Sequence, residues 1–163
     1  MRPLPILCVC VFLVLAGCSL GPTGQEGPVT VVVNNSANET HTFEVWVVEY
    51  PANVTVRRSD GNVATGDVGP GLATHEPGPH YFTAVELPDS ARLHSRYPLE
   101  SNAMTQTKIE QFPADFAVVV VISHDARIVS WVSAHCDGDL VFVEVTMFEY
   151  GSGSAYNCEG GLF

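Results

Sequence analysis

Beyond residue 28 the apolar positions fall into short β-branched runs, without the three-to-four spacing of a helix. Val29 to Val33 is dense in valine and ends at Asn34-Asn35-Ser36, which reads as a turn. In Thr42 to Tyr50, Phe43, Val45 and Val47 share one side while Trp46 and Val48 take the other, the pattern of a strand buried between layers. Val54 to Arg57 stops just before the turn signal Asp60-Gly61-Asn62, and Tyr81 to Leu87 stops at Pro88. Phe116 to Ile122 is an unbroken apolar run of 7 residues. That length suits a central strand and falls far short of the about 20 residues of a spanning helix. Arg127 to Ala134 and Leu140 to Phe148 flank Asp137-Gly138-Asp139, a hairpin candidate, with Val141, Val143, Val145 and Met147 on one face.

These seven runs, with weaker candidates at Arg92 to Tyr97 and Thr107 to Phe112, predict an all-β domain over residues 29–163. Short strands that must each bury a face give a two-layer antiparallel β-sandwich. The pattern resembles the immunoglobulin-like class in strand number and length only. A transthyretin-like or cupredoxin-like strand order fits it as well.

The opening segment has a different character. Arg2 is followed, after Pro3-Leu4-Pro5, by 11 residues from Ile6 to Ala16 with no charge. One positive charge before a short apolar run is the layout of a secretory signal peptide, expected over residues 1–17. The run closes on Leu15-Ala16-Gly17-Cys18, which resembles the lipobox of secreted lipoproteins. That resemblance implies cleavage before Cys18 and a thioether-linked diacylglyceryl group on its sulfur. Small Ala16 and Gly17 leave the backbone open to a peptidase. Two hydrocarbon chains anchor stably where one is marginal. The competing reading is an ordinary secretory signal with an incidental cysteine. From Ser19 to Pro28, three Gly and two Pro without apolar periodicity read as a tether, so that residues 18–28 lift the domain off the headgroups. Ten such residues span roughly 17 Å.

Charge narrows the partners. Seven Lys and Arg against 18 Asp and Glu give a net charge of −11, and Lys108 is the single lysine. Phosphate contacts need cationic side chains, so a nucleic-acid partner is not expected. Loss of the leader with Arg2 leaves 146 of the 163 residues and a charge of −12. An acidic, lysine-poor, exported chain resembles those of halophilic archaea, where carboxylates keep a surface hydrated at high salt. At 1 M salt the Debye length is about 3 Å and self-repulsion costs little. An acidic surface in an ordinary secreted protein is the alternative.

Of the five cysteines, Cys8 and Cys10 leave with the leader and Cys18 takes the lipid, so Cys136 and Cys158 remain as an even pair. In an exported chain such a pair is expected to be a disulfide. The tail would fold back along Leu140 to Phe148 to bring the sulfurs together.

The six histidines, at positions 41, 75, 80, 94, 124 and 135, show neither His-x-His nor His-Glu-x-x-His spacing. No metal or other cofactor is expected from them. A blue-copper site needs His and Met soon after a cysteine, and no histidine follows Cys136. Gly151-Ser152-Gly153-Ser154 reads as a flexible turn, since a nucleophile elbow would need a strand before it and a helix after it. Cys136 and His135 are strand neighbours and should point to opposite faces. Asp137 and Asp139 read as a solvated corner, and Trp46 and Trp131 as core. Asn34, Asn38 and Asn53 each open an Asn-x-Ser/Thr sequon and are candidate glycosylation sites.

Together these features lead to a membrane-anchored lipoprotein, standing on the outer face of the cytoplasmic membrane through Cys18. It is expected to be a non-enzymatic structural or binding module whose protein or small-molecule partner the sequence does not name. A metal- or small-ligand-binding surface protein is the alternative. A surface hydrolase is a third reading, requiring His124 or His135 to meet a carboxylate and a hydroxyl.

Overall fold

A computed structural model describes residues 27–160 of the protein; the expected leader, Cys18 and most of the expected tether lie outside this range. Among the described residues are twelve strands and no helix. They are β1 (Gly27–Asn35), β2 (His41–Glu49), β3 (Ala52–Arg58), β4 (Val63–Val68), β5 (Gly71–His75) and β6 (Phe82–Glu86). The second half continues with β7 (Arg92–Leu99), β8 (Ala103–Phe112), β9 (Phe116–His124), β10 (Arg127–His135), β11 (Asp139–Phe148) and β12 (Gly151–Glu159).

The strands form two packed sheets, a β-sandwich. The smaller has the order β12-β11-β1-β8, and the larger runs β4-β3-β6-β10-β9-β2-β7 with β5 also paired to β10. Pairing is antiparallel except between β1 and β11, which run side by side in register from Thr30↔Phe142 to Asn35↔Met147. Between the sheets, Val29, Val31 and Val33 of β1 meet Phe43 and Val45 of β2 and Val118, Val120 and Ile122 of β9. These side chains are essentially sealed from solvent, and each contributes about 1.5–3 kcal/mol of burial.

The larger sheet also curls. Only Tyr50 and Pro51 separate the end of β2 from the start of β3, yet three strands lie between them in the sheet. Three Cα steps reach at most about 11 Å, whereas four strand spacings in a flat sheet cover about 19 Å. The β3, β4 and β6 region therefore folds over the outer face of β9 and β10. This encloses a second core in which Val54, Val56 and Val68 pack on Val119, Val121 and Trp131. Burial on both faces explains why β9 reads as a continuous apolar run.

Several boundaries differ from the sequence expectation. Asn34 and Asn35, read as a turn, complete β1. Gly151-Ser152-Gly153-Ser154, read as a flexible turn, begins β12 and pairs along β11 from Phe148↔Gly151 to Asp139↔Glu159. The inward side chains there are small because β12 closes onto β5 and β10 through hydroxyl contacts. Ser130 Oγ lies 2.8 Å from Ser152 Oγ, and Thr74 Oγ1 lies 2.7 Å from Ser154 Oγ. β4 and β5 had no apolar signal to announce them, and their connection turns at Gly69-Pro70-Gly71. Gly71 takes φ +81, a left-handed backbone that glycine adopts without steric cost.

Candidate functional site

At one end of the second core the curled sheet stays open and leaves a cleft of about 460 Å³. Glu44 and Trp46 come from β2, Val121 and Ser123 from β9, and Ile128 from β10. Val85 and Leu87, with Pro88, Asp89 and Ala91 beyond β6, form the opposite wall. Strand alternation explains the composition. Val121 belongs to the row that continues inward as Val119 and Ala117, while Ser123 is the same row reaching water.

Trp46 is held in place. Its indole N–H donates to Glu44 Oε2 at 3.2 Å, two residues earlier on the same face of β2. The other oxygen of Glu44 accepts from Arg96, directly across on β7, through Nε at 2.8 Å and a second bond from Nη2. Ala126, at the rim, sits in the two-residue turn between β9 and β10, where Asp125 and Ala126 take φ +46 and +62. Both residues are left-handed, as a type I′ hairpin demands. The cleft volume lies within the range of small-molecule sites.

A second pocket, of about 390 Å³, is lined by Glu39, His41, His124, Met147, Glu149 and Tyr150 among others. The β2–β9 ladder ends at Thr42↔Ser123, so His41 and His124 face each other one step further on. Their ring centroids are 5.2 Å apart. His124 Nε2 lies 3.0 Å from Glu39 and 3.4 Å from Asp125. Its Nδ1 contacts the Thr40 carbonyl oxygen at 2.9 Å. His41 Nδ1 contacts the Glu39 carbonyl oxygen at 3.1 Å. Burial holds the His41 pKa below the usual histidine value, and neighbouring His124 adds to this while the Glu39 carbonyl opposes it. The corner is framed by Asn35, fully buried, whose Nδ2 donates to the carbonyls of Glu39, Leu99 and Glu100 at 2.7, 2.9 and 3.1 Å.

A third cluster surrounds Trp131, on which His75 stacks at 3.8 Å between centroids and 9° between planes. Nε2 of His75 and Nε1 of Trp131 are buried without a hydrogen-bond partner, and the rings meet because the two residues are direct cross-strand partners in the β5–β10 ladder. Burial lowers the His75 pKa. The carboxylate of Glu76 accepts from the backbone N–H of Ser152 at 2.5 Å and from its hydroxyl at 3.1 Å.

The residues singled out from sequence fall as follows. Cys18 lies outside the described residues. Cys136 and Cys158 form a disulfide with Cα atoms 6.0 Å apart, the tail folding back along β11 so that Cys158 pairs with Leu140. His135 and Cys136 do point apart: Cys136 enters the core between the sheets, while His135 stacks on Tyr50 at 3.7 Å. Trp131 is core, but Trp46 is only half-buried and walls the cleft. Asn34 sits half-buried in the middle of the smaller sheet, whereas Asn38 and Asn53 are exposed. His75 and His80, neighbours in sequence, separate, His80 lying 3.7 Å from Asp60. The arrangement asked of a hydrolase is half met, since His124 has carboxylates beside it but spends its other nitrogen on a carbonyl. His135 likewise uses Nδ1 on the Phe116 carbonyl, at 3.0 Å. Among the described residues no three His, Cys, Asp or Glu side chains are grouped to hold a metal. The cleft and the His41–His124 pair were not legible in the sequence. Each is assembled from strands distant in the chain.

No family model and no curated protein matches the chain. Among solved structures it is similar to one titled "Trapped Toxin", with a TM-score of 0.32 and 6% identity over 82% of this chain and 24% of that one. It is also similar to the "Structure of the membrane-binding domain of pneumolysin", with a TM-score of 0.30 and 7% identity over 82% of this chain and 99% of that one. The chain thus spans about a quarter of the first of these, as the 24% coverage states. Likenesses at this level say nothing about function.

Proposed function

We propose that the protein is an exported lipoprotein held on the outer face of the cytoplasmic membrane by a diacylglyceryl thioether on Cys18. There its sandwich acts as a non-enzymatic binding module. The observation that carries this reading is Leu15-Ala16-Gly17-Cys18 closing an uncharged apolar run behind Arg2. The Cys136–Cys158 disulfide supports export, because such bonds persist in oxidising compartments. The Gly- and Pro-rich segment after Cys18 suits a tether, and the acidic, lysine-poor composition suits a high-salt exterior. Binding, as against a purely structural role, is supported by the cleft at the curled end of the larger sheet.

Growth with a radiolabelled lipid precursor, followed by mass spectrometry of the amino-terminal peptide, tests the anchor. Label and a diacylglyceryl mass on Cys18 are expected, together with release of the Cys18→Ser variant from the membrane. A bare thiol at Cys18, or a leader still attached, overturns the reading.

A further inference from the structure

We infer that the cleft at the open end of the curled sheet binds a small organic cation with an apolar or aromatic body. This deepens the binding role proposed above and rests on it. The floor and walls are apolar: Val121, Ile128, Val85 and Leu87 meet there beside the half-buried indole of Trp46. Such a surface takes up an uncharged hydrocarbon or ring, and its volume of about 460 Å³ accommodates one.

Charge selects the rest of the ligand. The charged residues of the lining are Glu44 and Asp89, and no Lys, Arg or His is among them. Arg96 balances Glu44 from across the strand pair, bonding the carboxylate oxygen that the indole does not use. Asp89 is exposed at the rim and, among the described residues, has no ion-pair partner. One uncompensated carboxylate therefore stands over an apolar cleft in a chain of net charge −11. An anion entering there would meet like charge, and a neutral ligand would leave Asp89 unused.

Trp46 adds a second attraction of the same sign. It lines the cleft with its N–H already bonded to Glu44, so the indole has no free donor to offer a ligand, and an ammonium group placed over a tryptophan ring is attracted to it. The bond to Glu44 also fixes the indole, so little ordering remains to be done on binding.

The test uses the purified full chain in non-ionic detergent, with benzyltrimethylammonium as probe and benzyl alcohol and benzoate as neutral and anionic controls. Nuclear magnetic resonance follows the two indole N–H signals. The cation is expected to shift the Trp46 signal in a saturable way and leave the Trp131 signal in place, with the two controls at least about tenfold weaker. Asp89→Asn, an exposed change that leaves the core intact, should weaken the cation by about threefold. Trp46→Leu should weaken it by about tenfold. Equal binding of the three probes, indifference to Asp89→Asn, or no Trp46 shift at about 10 mM cation overturns the inference. None of these outcomes depends on lipid at Cys18, so failure of the anchor and failure of the cleft are separately visible.

Discussion

His41 and His124 stand across from each other at the end of the β2–β9 ladder, ring centroids 5.2 Å apart, although 82 residues lie between them in the chain. His124 faces the carboxylates of Glu39 and Asp125, while Glu149 and Tyr150 close the pocket from beyond β11. His41 is buried, so a proton there must enter low-dielectric surroundings beside a second imidazole.

Acid should therefore loosen the fold. Burial lowers the folded-state pKa of both His41 and His75, so below about pH 6.5 the unfolded chain binds more protons at these two sites. Their contribution is complete above that pH and is lost as pH falls through the depressed folded values. Melting temperatures measured from pH 8 to 5 should drop in the acid half of the range, and less steeply in His41→Gln and His75→Gln. An unchanged slope in both variants would assign the acid sensitivity to other groups.

The disulfide ties the end of β10, in the larger sheet, to β12, at the edge of the smaller one, across a separation of 22 residues. A closed loop of that length contributes about 3 kcal/mol, most of it by restricting the unfolded chain. The Cys136→Ala, Cys158→Ala double variant should lose about that much in urea unfolding. Native protein purified without reductant should show no reactive thiol at either position.

Asn35 Nδ2 donates from a fully buried position to the carbonyls of Glu39, Glu100 and Leu99 at the end of β7, and its side-chain oxygen accepts from the Ala37 N–H at 3.3 Å. Asn35→Ala strands those groups in the interior and should cost about 2 kcal/mol. Hydrogen exchange should show the loss concentrated in the β1–β2 and β7–β8 connections. A uniform loss across both sheets would contradict a local clamp.

The sequons differ in access. In a host that attaches glycans, Asn38 in its exposed loop and Asn53 on β3 should carry them. Asn34, flanked on both sides by paired strands, should stay bare. Peptide mapping of native material before and after enzymatic deglycosylation reads this directly.

The strand-forming segments were legible because alternation and β-branching are local properties. Phe116–Ile122 and Leu140–Phe148 declared themselves as strands, and Cys136 and Cys158, the two cysteines beyond Cys18, pointed to one bond. β12 was not legible: its inward residues at the start are Ser152 and Ser154, which close on hydroxyls of β5 and β10 instead of on a hydrocarbon core. β4 and β5 were missed for a related reason, as both lie at the periphery of the larger sheet where burial asks little of them.

By itself the chain determined an all-β sandwich and the Cys136–Cys158 cross-link, because the period of two and the supply of thiols are written residue by residue. It also carries the lipobox resemblance, which stands on the amino-terminal residues alone. Only the tertiary structure decided that β1 and β11 run parallel, that the larger sheet curls over itself, and that Trp46, Glu44 and Asp89 come to share a cleft. Those outcomes depend on which strands meet across long stretches of chain. Pairing of that kind is settled by the joint packing of both cores, and no local pattern encodes it.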